Sequence, residues 1–283
     1  MADRPRPIAY RPRPIASCQS QRLIRRSTIS CRLSTPMSRI LAIGGGGFQM
    51  EGDHSPIDDH LLELTGRDTP CICFLPTPGG DRPDYIERFR SAFSRRRCVP
   101  SHLAFFELDP TPGAVHPSEL RAHLLSQDAI FVSGGNARAA LAIWREWGVD
   151  RVLAEARDRD ILLAGMSAGA MCWFEPACTD TYWEPGYRPL RGLGFLAGGC
   201  RVHYSNQREE QRERLHAALI TDAIPSTIAI DDGAAVLFRD ERVERVVSWE
   251  RGAAAFRLSR RDGRVDETQI VPNLELRSQR SEL

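Results

Sequence analysis

Gly165-Met166-Ser167-Ala168-Gly169 is the stretch most able to do chemistry. It follows the apolar run Ile161-Leu162-Leu163-Ala164 and passes into small, helix-favouring residues, which predicts a buried strand, a tight turn and a helix start. Glycines at 165 and 169 remove side chains that would collide where strand and helix meet sharply. Ser167 then sits at the apex with its hydroxyl exposed, a strained position tolerated mainly where function needs it. A serine hydroxyl is a poor nucleophile at neutral pH and needs a base within hydrogen-bond reach, itself oriented by an acid. Only His203 and His216 follow Ser167. His216 falls within a charged helical segment, whereas His203 ends an extended apolar stretch in Val202-His203-Tyr204-Ser205-Asn206, a position suited to project into a site. Asp180 is the first choice for the acid. Asp231 and Asp232, after the strand at 227–230, compete with it, as does Glu175.

The elements that must position these residues alternate along the chain. Strands are expected at 39–43, 71–75, 103–106, 129–132 and 161–164. Helices are expected at 57–64, 85–93, 118–125, 137–147 and 152–156. Five alternations argue for a mainly parallel sheet with helices on both faces. Gly44 to Gly47 follow the first strand and allow close backbone approach at its carboxyl end. A dinucleotide fingerprint fails there, because its third glycine would fall at Gln49. Asp53, His54, Asp58, Asp59 and His60 lack the spacing of a metal ligand set, and a solvated helix start accounts for the acids. Residues 173–192 read as a loop or irregular hairpin, 194–204 as extended and 206–220 as a charged helix. Short strands at 227–230, 235–238, 246–249 and 254–258 form a C-terminal β extension, and the tail from Asn273 is expected to fray.

Composition bounds the rest. The chain has 283 residues, 42% hydrophobic, with a formal net charge of +1. It contains no lysine, so Schiff-base lysine chemistry and a Walker-type phosphate loop are excluded. Residues 1–36 repeat Arg-Pro-Arg-Pro-Ile-Ala and carry eight arginines against one aspartate, so the remainder is at −6. Such a segment buries no core and is expected to be a disordered extension. One α/β hydrolytic domain is expected over 37–272, with a polar tail at 273–283. The eight cysteines show no CxxC or Cys/His spacing, and reduced thiols in a cytoplasmic protein are the expectation. There is no basic patch for nucleic acid, no apolar run of ~20 residues for a membrane, and no cofactor motif.

The segment Gly165-Met-Ser-Ala-Gly-Ala-Met-Cys-Trp-Phe-Glu175, with Val132-Ser-Gly-Gly-Asn136 upstream and His203-Tyr204 downstream, resembles the peptidase E (aspartyl dipeptidase) family of serine peptidases. Cyanophycinase is a relative, and the fold is that of class I glutamine amidotransferases. The first strand with its glycine run, Phe74-Leu-Pro-Thr77 and Ile228-Ala-Ile-Asp-Asp232 fit the same pattern, so the resemblance covers about 38–250. It implies Ser167 as nucleophile, His203 as base and Asp180 as orienting acid, with an oxyanion hole from the N–H groups of Gly135 and Ala168. It further implies a small peptide with N-terminal Asp as substrate, bound by Asn136 and by an arginine after the histidine, Arg208 or Arg212. A homodimer is compatible with this reading. Family members often carry proline immediately before the histidine, where this chain has Val202. The competing readings are an α/β-hydrolase esterase, which shares the order Ser…Asp…His, a cyanophycinase-like peptidase, and a non-catalytic amidotransferase-like binding module.

Overall fold

The computed structural model describes residues 37–106, 114–179 and 188–277, all within one compact unit. The strands are β1 (Arg39–Ile43), β2 (Cys71–Leu75), β3 (Val99–His102), β4 (Ala129–Val132), β5 (Leu162–Met166), β6 (Phe174–Thr179) and β7 (Arg188–Leu190). They continue with β8 (Leu196–Val202), β9 (Thr227–Ile230), β10 (Ala234–Arg239), β11 (Arg242–Ser248), β12 (Ala255–Arg261), β13 (Arg264–Ile270) and β14 (Leu274–Glu275).

One sheet has the order β14-β11-β10-β1-β5-β4-β2-β3. Its strands from β1 to β3 are mutually parallel, while β10 joins β1 antiparallel. β1, β2, β4 and β5 are almost wholly buried, so alternate side chains supply two different cores. Ile40, Cys73, Ile130 and Leu163 face one core, which the helices Ala137–Trp147 and Val149–Asp158 cover. Leu41, Phe74, Phe131 and Ala164 face the other, covered by Pro56–Leu64 and Pro83–Ser94. The expected α/β architecture, with helices on both faces of a largely parallel sheet, is the observed one. Among the described residues, no helix is long and apolar enough to cross a membrane.

The C-terminal β extension is more elaborate than expected. β10 and β11 widen the first sheet, but β9 and β12 enter a second sheet of order β13-β12-β9-β8-β6-β7. β13 went unforeseen because it is a largely exposed edge of Arg, Asp, Glu, Thr and Gln. It closes on β12 through Asp262-Gly263, both at positive φ, a two-residue turn matched to hairpin twist. The tail does not fray at 273. β14 pairs with β11, and the N–H groups of Asn273 and Leu276 bond the carbonyls of Val246 and Ser248. The third strand lies at Val99–His102 rather than 103–106. Pro100 is tolerated there because β3 is the sheet edge, and apolar Leu103 and Ala104 are the chain diving into the core beyond it.

Two further expectations are corrected. Cys71 is in a disulfide, whereas Cys73, Cys98, Cys172 and Cys200 are free. Asp58 is not on a solvated helix start but buried, 1% exposed, and burial pushes its carboxyl up to about 8 against the lowering influence of Arg96. The extension 1–36, residues 278–283 of the polar tail and Asp180 lie outside the described residues.

Candidate active site

The carboxyl ends of the central strands of both sheets converge, as open α/β sheets require of a ligand site. β5 delivers Ser167 at φ 55°, ψ −114°, a conformation costing ~1–3 kcal/mol in an L-residue. The turn is tight enough that a Cβ on Gly165 would lie 2.4 Å from the Gly169 carbonyl carbon. One on Gly169 would lie 2.4 Å from the Val132 oxygen. Both glycines of the motif are therefore demanded by packing. The Ser167 N–H bonds Ile43 O at 3.0 Å, which ties the elbow to β1.

β8 delivers His203, also at positive φ (53°), immediately after Val202. Its Nε2 stands 2.8 Å from Ser167 Oγ. Its Nδ1 is hydrogen-bonded to Oδ1 of Asp232, the second residue beyond β9. β8 and β9 are parallel neighbours with Val202 opposite Ile230, so the residues following each strand meet at one edge. The sequence ranked Asp180 first among the acids. The structure corrects that ranking, because the one ring nitrogen facing away from the serine is occupied by Asp232. The other two competitors are engaged elsewhere. Buried Asp231 accepts from the N–H groups of Ser205 (2.9 Å) and Ala254 (3.1 Å), a loop-bracing role. Glu175 is exposed on β6 with Arg191 3.8 Å away. Chain order is thus Ser…His…Asp, which disagrees with the α/β-hydrolase order Ser…Asp…His.

The glycine run after β1 makes this arrangement possible. A Cβ on Gly45 would fall 1.9 Å from Asp232 Oδ1 and 2.9 Å from His203 Cε1. What approaches the glycines is the acid and histidine of the chain itself. Burial alone would raise the Asp232 carboxyl. The hydrogen bond and charge of His203, with a hydrogen bond from the Asn206 amide, instead hold it below the usual carboxylate range. An ionised Asp232 accepts from Nδ1–H, which leaves Nε2 as the acceptor for the serine proton. Asn206 went unremarked as a site residue, and nothing in its local sequence signalled that contact.

Two glycines after β4 bring Ser133–Asn136 against the elbow. A Cβ on Gly134 would lie 3.3 Å from Ser167 Cβ, and Gly135 adopts φ 137°, glycine territory. The N–H of Ala168 begins a helix and has no intrahelical acceptor. No hydrogen bond from Gly135 N–H is seen among the described residues. These are the two donors expected at an oxyanion. Asn136, expected to bind substrate, instead caps the helix at 137–147, its Oδ1 accepting from Ala139 N–H at 3.0 Å. Arg212 is likewise committed. It bonds Glu267 at 3.1 and 3.3 Å and the Tyr204 hydroxyl at 3.3 Å, and its guanidinium lies 4.6 Å from the Tyr204 ring centroid. Arg214 pairs with Glu210. Arg208 is exposed at the start of the helix Glu209–Ile220, two residues beyond Asn206.

Comparison with known proteins gives the fold and the family. A crystal structure of a peptidase from an acI-B1 Actinobacterium superposes with a TM-score of 0.60 at 17% identity, covering 84% of this chain and 96% of that one. A protein assigned as peptidase E from Listeria monocytogenes EGD-e gives 0.55 at 17% identity, covering 76% of this chain and 100% of that one. The uncharacterized peptidase YgaJ of Bacillus subtilis (strain 168) is 40% identical over 234 residues, 83% of this chain and 97% of its own length. The model of peptidase family S51 matches residues 40–246, spanning the elbow, the histidine and the aspartate, and the chain belongs to that family of serine peptidases.

Proposed function

We propose that this peptidase hydrolyses small peptides bearing an N-terminal aspartate, through an acyl-enzyme on Ser167. The observation that carries the covalent mechanism is the continuous hydrogen-bonded chain Ser167 Oγ, His203, Asp232. As Oγ attacks the carbonyl carbon, its proton passes to Nε2, and Asp232 stabilises the imidazolium that forms. The carbonyl oxygen becomes an oxyanion between the N–H groups of Gly135 and Ala168. The imidazolium then protonates the leaving amine as the C–N bond breaks, and water activated by the same histidine releases the acid. A non-catalytic binding module has no use for a serine held in strained backbone against such a pair.

The substrate reading rests on the resemblance to aspartyl dipeptidases and on Arg208. With Arg212 tied to Glu267, Arg208 is the arginine of the pair left exposed, two residues beyond Asn206 in the chain. A guanidinium can hold a carboxylate through two parallel hydrogen bonds. Loss of such a charge-assisted contact costs ~1.5–3 kcal/mol, so Asp-Leu is expected to be cleaved about 10- to 150-fold faster than Asn-Leu. Arg208→Ala should erase that preference while sparing labelling by a fluorophosphonate. Ser167→Ala should abolish both cleavage and labelling. Equal rates on the two dipeptides would overturn the substrate assignment, and turnover by Ser167→Ala above a tenth of wild type would overturn the acyl-enzyme.

A further inference from the structure

Gln49 takes no part in the triad and stands outside every motif read from the sequence. It lies in the four-residue helix Phe48–Glu51 that follows the glycine run, and it is 6% exposed. Its Oε1 accepts from the N–H of Gly134 at 3.0 Å. Because a donor faces that atom, the carboxamide orientation follows from chemistry. The other half of the amide, Nε2, is buried and has no partner among the described residues.

Gln49 is held from three sides. Phe48 before it is fully buried among Phe74, Phe89, Phe93 and Phe131, with ring centroids 5.3 to 5.6 Å away. Arg88 donates to the Gln49 carbonyl at 2.8 Å. The N–H groups of Met50 and Glu51 close the short helix onto Gly47 O. The side chain thus extends from a rigid base to a loop that is not rigid by its own composition, since two consecutive glycines have the widest backbone freedom. Ser133 N–H bonds Leu75 O at one end of the loop, and Asn136 N–H bonds Pro78 O at the other. Between them, the described contact that fixes the Gly134 peptide is Gln49. Gly134 in turn abuts Ser167 Cβ and precedes Gly135, whose N–H is the expected oxyanion donor.

We propose that Gln49 is a positioning residue that holds the Gly134-Gly135 loop in its oxyanion-binding conformation. An oxyanion donor is effective only when already aimed where charge develops. A glycine pair freed from its anchor would pay for ordering at each turnover. Retaining a buried amide with an unpaired Nε2 is costly for folding, which argues that the Gly134 contact is kept for the site. This inference rests on the serine-peptidase reading above.

The test uses the full chain and the second-order rate of Ser167 labelling by a fluorophosphonate, whose adduct places an oxygen at the oxyanion position. Loss of one oxyanion donor costs about 10²–10³-fold, so loss of an anchor behind the donor should cost about 10- to 100-fold. Gln49→Met keeps the volume and removes the acceptor. It is expected to label at that reduced rate and, on Asp-Leu, to lower kcat with KM within twofold. Gln49→Glu keeps an acceptor for the Gly134 N–H and, at acidic pH where its carboxyl is neutral, should restore labelling to within threefold of wild type. A merely structural glutamine would shift the melting temperature of both variants and leave the labelling rate of Gln49→Met within threefold of wild type. If Gln49→Met fails to fold, Gln49→Leu, which also lacks the acceptor, takes its place. Labelling of the acceptor-free variant within threefold of wild type would overturn the inference, provided Ser167→Ala abolishes labelling. Labelling that persists in Ser167→Ala would instead overturn the serine-peptidase reading itself.

Discussion

Replacing Asp232 by asparagine separates the acid seen in the structure from the one the sequence ranked first. The amide keeps the shape and, in one orientation, still accepts from Nδ1, but it removes the negative charge. That charge matters at the moment His203 becomes an imidazolium. Two unit charges in hydrogen-bond contact, ~3 Å apart at an effective dielectric of ~20, attract by roughly 5–6 kcal/mol. The His203 side chain is 36% exposed and that of Asp232 17%, so solvent takes back a share. A net loss of ~3–5 kcal/mol corresponds to about 10²- to 10⁴-fold in kcat. KM should change little, because Asp232 acts through the histidine rather than on the peptide. The fluorophosphonate labelling rate should fall in parallel, since it needs the same base, and circular dichroism should show an unchanged fold. Asp180→Asn, measured alongside, should retain more than a tenth of wild-type rate. Retention of more than a tenth by Asp232→Asn, or a larger loss in Asp180→Asn, would refute the assignment. The pair also has a stability signature. The Asp232 carboxyl is held below its ordinary value, so its contribution is present above pH ~4 and is lost as pH falls through the folded value.

Two further outcomes follow from groups away from the triad. Asp58 titrates near 8 when folded and near 3.8 when exposed. The folded state therefore holds a proton that the unfolded state has lost, and stability should decline as pH rises from about 4 to about 8. Asp58→Asn should remove that decline, gaining up to a few kcal/mol at pH 8, read as a melting temperature that no longer falls between pH 5 and 8. A variant less stable than wild type at pH 8 would show that the charged form is favoured in the fold. Arg212→Ala should cost about 1 kcal/mol or less of stability, because the Glu267 pair is partly exposed. It should also leave the Asp-Leu to Asn-Leu ratio unchanged, and a collapse of that ratio would return Arg212 to the substrate.

The elements that carry Ser167 and the parallel sheet were legible because their signals are local. A continuous apolar run such as Cys71–Leu75 or Ala129–Val132 can only be buried on both faces, and Gly-x-Ser-x-Gly at a strand end encodes its own turn. His203 was legible for the same reason, as a polar residue ending an apolar strand. The acid was not. Asp180, Asp231 and Asp232 all lie near strand ends, and the choice depends on β8 lying parallel to β9 in a second sheet. That pairing joins residues 29 positions apart and leaves no mark on either segment. The glycines announced close approach, but only the folded chain shows that Gly45 yields to Asp232 and Gly134 to Ser167. Arg208 and Arg212 look equivalent on a helix, and a glutamate 55 residues later in an unforeseen edge strand distinguishes them. Gln49 was invisible for the deepest reason. Its meaning is one hydrogen bond to a backbone N–H 85 residues away, and backbone groups are identical at every position in a sequence.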